Sequence, residues 1–402
     1  MFIEKFIMDV LQFILALFAV YLTLYVIYSF LLIGTALIRG PRELPIVSPK
    51  TRFSVIVPAH NEELLLPGLL DSLSEQNYPD HLVKTYVIAD NCNDCTAGIG
   101  RNRGAAVIER FSCDFRGKGY VIKHGLENIS RAEYDAIFIV DADSIVERHA
   151  LKNLDLVIQE GARIMQCFNG VVNPDESWFT RLMDVSRTLG NEILSPAKER
   201  LGLSANLMGN GMCFSRDIIS KYGWDSFTVG EDWEYYAKIV LQGERIAFVN
   251  QARVYHRESV NLRQATSQRL RWSSGRLAIA LKFGLRLLVN GVKSGNLLKI
   301  DAALPLIFPN PSLAISLTLL MLLLCLIVTP LSYRDLFLNW FSALSISQFA
   351  FYLCGVLYVK DKKKKILAIF FAPVFLVWKS GLDLLSIAGI GRKYWVRTER
   401  KL

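Results

Sequence analysis

The sequence predicts an α/β domain built on a largely parallel sheet and set between membrane segments. Two observations carry that expectation. Hydrophobic residues make up 52% of the 402, above the roughly 45–50% of soluble globular chains, and the excess lies at the two ends. Between the ends, short apolar runs alternate with stretches of helical spacing, the pattern of strands joined by crossover helices.

The first apolar run covers about residues 6–38 and is broken only by Asp9 and Gln12. It exceeds the roughly 20 residues that a bilayer crossing needs. It is too long for a signal-peptide core and lacks a small-residue cleavage site. With residues 1–40 as an N-terminal anchor, only Glu4 and Lys5 precede the run, whereas Arg39, Arg42, Lys50 and Arg52 follow it. The positive-inside rule then places the next domain, 51–275, in the cytoplasm. Residues 53–57, 83–89 and 136–140 read as its strands, and 64–73 as a helix. The strand runs end in polar residues: His60, Asn61 and Glu62; Asp90 and Asn91; Asp141, Ala142 and Asp143. Ligands of open α/β sheets bind just beyond such carboxyl ends.

Residues 276–311 are basic and amphipathic, with Lys282, Arg286 and Lys293 on one helix face and Leu281, Leu285 and Leu288 on another. Such a helix suits the membrane interface and also suits an ordinary enzyme surface. The region 312–390 contains two spans, about 312–329 and 338–359, followed by a lysine run at Lys360 and Lys362 to Lys365 that marks a cytoplasmic return. The last apolar stretch, 366–390, holds Lys379 and Asp383 on one helix face, and Pro373 permits a bend. A full crossing there would carry the basic tail 391–402, with Arg392, Lys393, Arg397, Arg400 and Lys401, outside. We therefore expect this stretch to enter without crossing, or to lie along the interface, leaving Trp395 and Arg397 on the active-site side.

The formal charge is +9, from 46 basic and 37 acidic residues. A basic balance suits nucleic acid, anionic lipid or phosphorylated substrates. No nucleic-acid motif or aromatic–basic stripe is present, so lipid and phosphate are the expected partners. Among seven cysteines, Cys92 and Cys95 form a lone C-x-x-C with neither a second pair nor spaced histidines for zinc. A reduced, intracellular domain fits this usage, with a redox pair as the alternative.

Asp141 and Asp143 carry the strongest chemical signal. Two carboxylates one residue apart at a strand end can hold Mg2+ or Mn2+, hard cations that in turn bridge a diphosphate and neutralise a nucleotide leaving group. Asp90 can accept a bond from a base or ribose, or simply close an Asx turn. Lys118, between Gly117 and Gly119, suits a base or phosphate. Glu231 and Asp232 follow Gly230 and offer either a general base or a solvated helix start. Gln268, Arg269, Arg271 and Trp272 combine diphosphate-binding groups with an indole suited to a sugar face; alone they would also fit an amphipathic helix with one buried Trp.

As an ordered set these motifs resemble the family-2 inverting glycosyltransferases with a GT-A fold. They resemble in particular the membrane branch of cellulose, hyaluronan, chitin-oligosaccharide and poly-N-acetylglucosamine synthases, marked by D, DxD, (E/T/G)-(E/D)-D and Q-x-x-R-W. The opening Val57-Pro58-Ala59-His60-Asn61-Glu62 is similar to that family's V-P-x-x-N-E, and the resemblance covers about residues 52–276. It implies that Pro58, Asn61, Glu62, Asp90 and Lys118 contact the donor nucleotide, a uridine. Asp141 would bind the diphosphate, with Asp143 and Asp141 at the metal. Asp232, with Glu231 beside it, would be the base. Gln268, Arg269 and Arg271 would embrace the diphosphate, Trp272 would floor the acceptor, and Asn210 and Gly211 would line its site. Cys95 stands where many relatives carry an acid and receives no role.

The implied function is inverting transfer of a hexose or N-acetylhexosamine from a UDP-sugar to a glycan, forming β-linked exopolysaccharide at the plasma membrane. The alternative is a single transfer to a lipid such as ceramide or diacylglycerol. A non-catalytic scaffold is a third reading, against which the intact acids and Q-x-x-R-W argue. Large processive synthases commonly use six or more spans, so export by this chain would need oligomerisation or an assembly partner.

Overall fold

The computed structural model describes residues 2–38, 47–328 and 332–391. Arg39, Arg42 and the tail positions Arg392, Lys393, Trp395, Arg397, Arg400 and Lys401 lie outside the described residues.

Eight strands form one sheet: β1 Phe53–Ala59, β2 Val83–Asp90, β3 Ala106–Arg110, β4 Ala136–Ile139, β5 Ser144–Val146, β6 Ile164–Val171, β7 Met212–Ser215 and β8 Ala247–His256. Their order is β3-β2-β1-β4-β7-β6-β8-β5. The first four are mutually parallel, as the alternating pattern predicts. Beyond β4 the sheet is mixed, which corrects the expectation of a largely parallel one. β7 runs antiparallel to both β4 and β6, and β5 runs antiparallel to β8, while β6 and β8 pair parallel. The sequence hides this half because β7 is four residues long and β6 interrupts its apolar run with Gln166, Asn169 and Gly170, all inside the sheet. The result is the GT-A fold, with a crevice at the carboxyl ends of β1, β2 and β4.

Side-chain alternation builds a core on each face. Ile56, Ile88, Ile137 and Ile139 point to one side, and Val55, Val57, Val87, Phe138 and Val140 to the other. Helices cover both faces, so these strands read as continuous apolar runs.

The expected boundary at 275 falls inside a continuous helix. Leu262–Ile279 runs through a π-turn, Ala280–Gly284, into Leu285–Ser294. Leu281 and Leu285 face outward, 73% and 68% exposed, whereas Leu288 packs against the core.

By length and composition alone, helices Phe2–Ile38 and Arg334–Val356 can cross a membrane. Two further helix pairs are each a broken span or a re-entrant loop: Leu297–Ile307 with Pro311–Ile327, bent by 61°, and Lys362–Ile369 with Ala372–Ile387, bent by 60°. The second bend sits at Phe370 and Phe371, with Pro373 in the first turn that follows, where a missing N–H costs nothing. The lysine run is not uniformly solvated. Lys365 is 1% exposed and lies 2.8 Å from Asp184 and 3.3 Å from Asp175, while donating to the Pro174 carbonyl. One lysine of the run therefore docks this pair onto helix Trp178–Thr188.

Candidate active site

The crevice opens into one continuous cavity of about 1770 Å³. That exceeds the roughly 300–1,000 Å³ of a pocket for one small ligand, leaving room for more than one.

One side of it is built from strand ends. Asp141 and Asp143 follow β4. The Lys118 ammonium, at the first turn of helix Lys118–Asn128, bonds both the Asp141 carboxylate and the Gly209 carbonyl. Gly209 has φ +76, and a Cβ there would sit 3.2 Å from Asp232 Oδ2. The glycine thus lets the 208–211 loop pass between Lys118 and Asp232. Gln166 holds that loop from behind, donating to the Asn210 carbonyl at 2.8 Å and accepting from Met208 N. Asn210 in turn accepts from Asp141 N at 3.0 Å and donates to Ser144 Oγ. Asn210 and Gly211 therefore stand behind the acidic pair, buried, while Met208 and Gly209 line the cavity. The resemblance implied an acceptor-lining role for Asn210 and Gly211; their hydrogen bonds shape the loop whose Met208 and Gly209 line the cavity.

Glu231 and Asp232 occupy the first turn of helix Glu231–Leu241. Asp232 Oδ1 accepts from Trp233 N at 2.8 Å, a carboxylate at the favourable end of the helix dipole. Burial pushes both carboxyls up, and mutual repulsion adds to it at Glu231. Burial works against the Lys118 charge, but Asp141, Glu231 and Asp232 outweigh it and raise that group's pKa. Helix Glu231–Leu241 is locked to helix Leu262–Ile279 through Gly230 and Gly275: a Cβ on Gly275 would lie 2.9 Å from Gly230 N. The contact fixes the carboxylate-bearing turn against the turn that carries Arg271 and Trp272.

Asp90 is buried and paired with Arg110, a residue the motifs did not reveal, which also donates to the Phe115 carbonyl. Asn91 donates to Asp90 and accepts from Ser112 N. Pro58 and Glu62 line the cavity. Asn61, with φ +55, accepts from Asn93 N at 2.9 Å and so braces the loops after β1 and β2. Cys92 and Cys95 are free thiols.

The Q-x-x-R-W residues divide. Gln268, Arg269, Arg271 and Trp272 all line the cavity, but Arg271 feels the charges of Glu231 and Asp141. Arg269 turns away from that cluster: it bonds Glu258 at 2.6 Å and stacks on the Trp272 ring at 4.5 Å. Glu258 also accepts from Ser259 N and stands beside His256. Burial opposes its charge, but Arg269, His256 and Arg187 hold this carboxyl well below the usual range. Arg269 thus sits under the indole, because its carboxylate partner lies there. Neither Glu258 nor Arg110 belongs to a recognisable motif.

For a divalent ion, the chemistry fits at Asp141 and Asp143. No group of three or more His, Cys, Asp or Glu side chains among the described residues is arranged to hold one alone. Two hard oxygen donors leave the remaining positions to a diphosphate and water.

Residues 49–275 match the family described as glycosyltransferase like family 2. The chain is 26% identical over 252 residues to the probable glycosyltransferase YdaM of Bacillus subtilis, covering 60% of this chain and 58% of that protein. It is 37% identical over 124 residues to 4,4'-diaponeurosporenoate glycosyltransferase of Staphylococcus haemolyticus, 30% of each chain. Among solved structures, the mannosyltransferase PcManGT of Pyrobaculum calidifontis, in complex with GDP-Man and Mn2+, aligns with a TM-score of 0.49 and 17% identity over 84% of this chain and 99% of that one. The aligned part of the chain spans about half the length of several relatives it matches.

Proposed function

The chain belongs to the glycosyltransferase like family 2, and from that premise we propose inverting transfer of a hexose or N-acetylhexosamine from a UDP-sugar to a membrane lipid. One observation carries the choice of acceptor. The cavity that holds Asp141, Asp143 and Asp232 continues to Ile315, Leu319, Phe349, Phe375 and Leu376, which belong to the membrane-type helices. An apolar chain can reach the donor along that path. Such an acceptor needs neither a polymer channel nor an export partner.

In this reading Asp232 takes the proton of the acceptor hydroxyl. The hydroxyl oxygen bonds to the anomeric carbon as the bond to the UDP oxygen breaks, so an α-linked donor gives a β-linked product. A carboxyl raised by burial suits a base working near neutrality. Lys118 and Arg271 stand beside the diphosphate position. Mg2+ or Mn2+ at Asp143 and Asp141, when bound, supplies neutralisation of the leaving charge. Trp272 offers its ring face to the sugar, and Asp90, set by Arg110, faces the nucleotide. The catalytic domain lies on the cytoplasmic side of the plasma membrane, with 276–311 along the interface and 312–390 as the membrane region.

The full chain in lipid nanodiscs, given labelled UDP-sugars and Mn2+, should place label in the organic phase on a lipid, with a β-anomer by NMR and complete loss in EDTA. Label recovered only in a large polymer would replace the lipid by a growing glycan. An α-anomer would overturn the inverting scheme.

A further inference from the structure

Arg187 stands on the acceptor side of this cavity and has no task in the scheme above. It lies in the last turn of helix Trp178–Thr188. Its guanidinium carbon is 5.7 Å from the centre of the Trp272 ring, and it lines the cavity. Among the described residues its side chain makes no hydrogen bond and no ion pair within bonding distance; it stacks on Trp272 and feels more distant charges. The carboxylates that feel its charge, Glu258 and Asp232, are committed elsewhere. Glu258 is bonded to Arg269 and Ser259 N. Asp232 is held by Trp233 N and faces Gly209. Arg269 repels Arg187.

The Arg187 side chain is half-buried, and a guanidinium stays charged at neutral pH, so its donors remain available to an anion that enters the cavity. Burial here presses the group's pKa down to about 10. Its planar donors match a phosphate or carboxylate in a two-point grip. Leu182 and Met183, one turn earlier on the same helix, line the cavity together with Phe349 and Phe375. The surroundings thus fit an occupant that joins an anion to an apolar chain.

Building on the lipid-acceptor reading, we propose that the acceptor is an anionic membrane lipid whose phosphate group Arg187 grips, bringing a free headgroup hydroxyl across Trp272 to Asp232. The grip gives specificity rather than chemistry, since no bond to the phosphate changes.

The test uses the full chain in neutral phosphatidylcholine nanodiscs doped with phosphatidylglycerol or diacylglycerol. Phosphatidylglycerol should be glycosylated in preference to diacylglycerol. Arg187→Gln should raise its apparent KM by about 10–100-fold, the scale of one charged hydrogen-bonded contact, with the UDP dissociation constant unchanged. Arg187→Lys, which keeps the charge and loses the fork, should show the same effect in smaller measure, and UDP binding reports that each variant is folded. Equal use of diacylglycerol, with an unmoved KM in both variants, would overturn the anion grip and leave lipid glycosylation standing. A collapse of UDP affinity in Arg187→Gln would make Arg187 a donor residue and also overturn it. Free glycerol phosphate serving as well as the lipid would remove the membrane half of the proposal. Absence of label on any lipid would bring down the acceptor reading on which it rests.

Discussion

The two sides of the cavity handle buried charge in opposite ways. On the proposed donor side, Lys118 stands among Asp141, Glu231 and Asp232, and Arg271 beside Glu231 and Asp141. On the proposed acceptor side, Arg187 and Arg269 share the field of Glu258, beside a His256 whose pKa burial pushes down. A cluster rich in carboxylates suits a divalent ion between protein and diphosphate. A guanidinium without a hydrogen-bonded partner suits an anion. The two sides thus favour ligands of opposite charge, and they meet at Asp232, which acts on both Lys118 and Arg187.

The largest effect should come from removing that meeting point. Asp232→Asn should lower transfer by about 10²–10⁴-fold, the usual scale for a general base, while UDP affinity holds. Isothermal titration with UDP beside a turnover assay separates the two; lost UDP affinity would move Asp232 wholly to the donor side and make Glu231 the better base. A middling effect should follow from Gly275→Ala. The added methyl meets Gly230 backbone, which cannot rotate away, so the variant should lose about 1–3 kcal/mol on thermal unfolding and part of its turnover. An unchanged melting curve would mean that the two sides are not rigidly joined there. The smallest effect concerns pH. Asp232 acts when deprotonated, and its pKa is raised, so activity should fall as pH drops through that raised value. Glu231 and Asp232 repel each other, and such coupling is mutual. Glu231→Gln should therefore lower the Asp232 pKa and move the acid limb of the kcat profile to lower pH. A limb that stays in place would show that burial alone sets it.

The same division governs what the sequence discloses. The donor side is made of strand ends and helix starts, where Asp90, Asp141, Asp143 and Asp232 follow local apolar patterns. The acceptor side is made by contacts between distant segments. Arg187 meets Trp272 from a helix whose only signature is amphipathic, and Glu258 reaches Arg269 from the end of β8. Arg110 pairs with Asp90 across 20 residues, a contact no spacing rule anticipates. Asn210 was readable as polar and near the site, but its direction depends on Gln166, 44 residues away. Lys365 reads as solvated within a lysine run, yet bonds a carbonyl 191 residues back. Interior partners of this kind leave no periodic trace because each needs only one residue of the right type.

The back of helix Leu262–Ile279 rests on the bent pair Lys362–Ile369 and Ala372–Ile387. Lys379 donates to Ser273 Oγ at 2.9 Å while pairing with Asp383, Trp378 donates to Thr266, and Ser274 donates to the Ile390 carbonyl. Trp272 and Arg271 are therefore mounted on a helix whose rear support is made of apolar, solvent-averse segments. A detergent that solvates those segments separately would loosen the mounting without touching a single catalytic group. Thickness and composition of the surrounding amphiphile then become experimental variables of the same rank as pH, and inactive micellar preparations of this chain would speak to solubilisation before they spoke to chemistry.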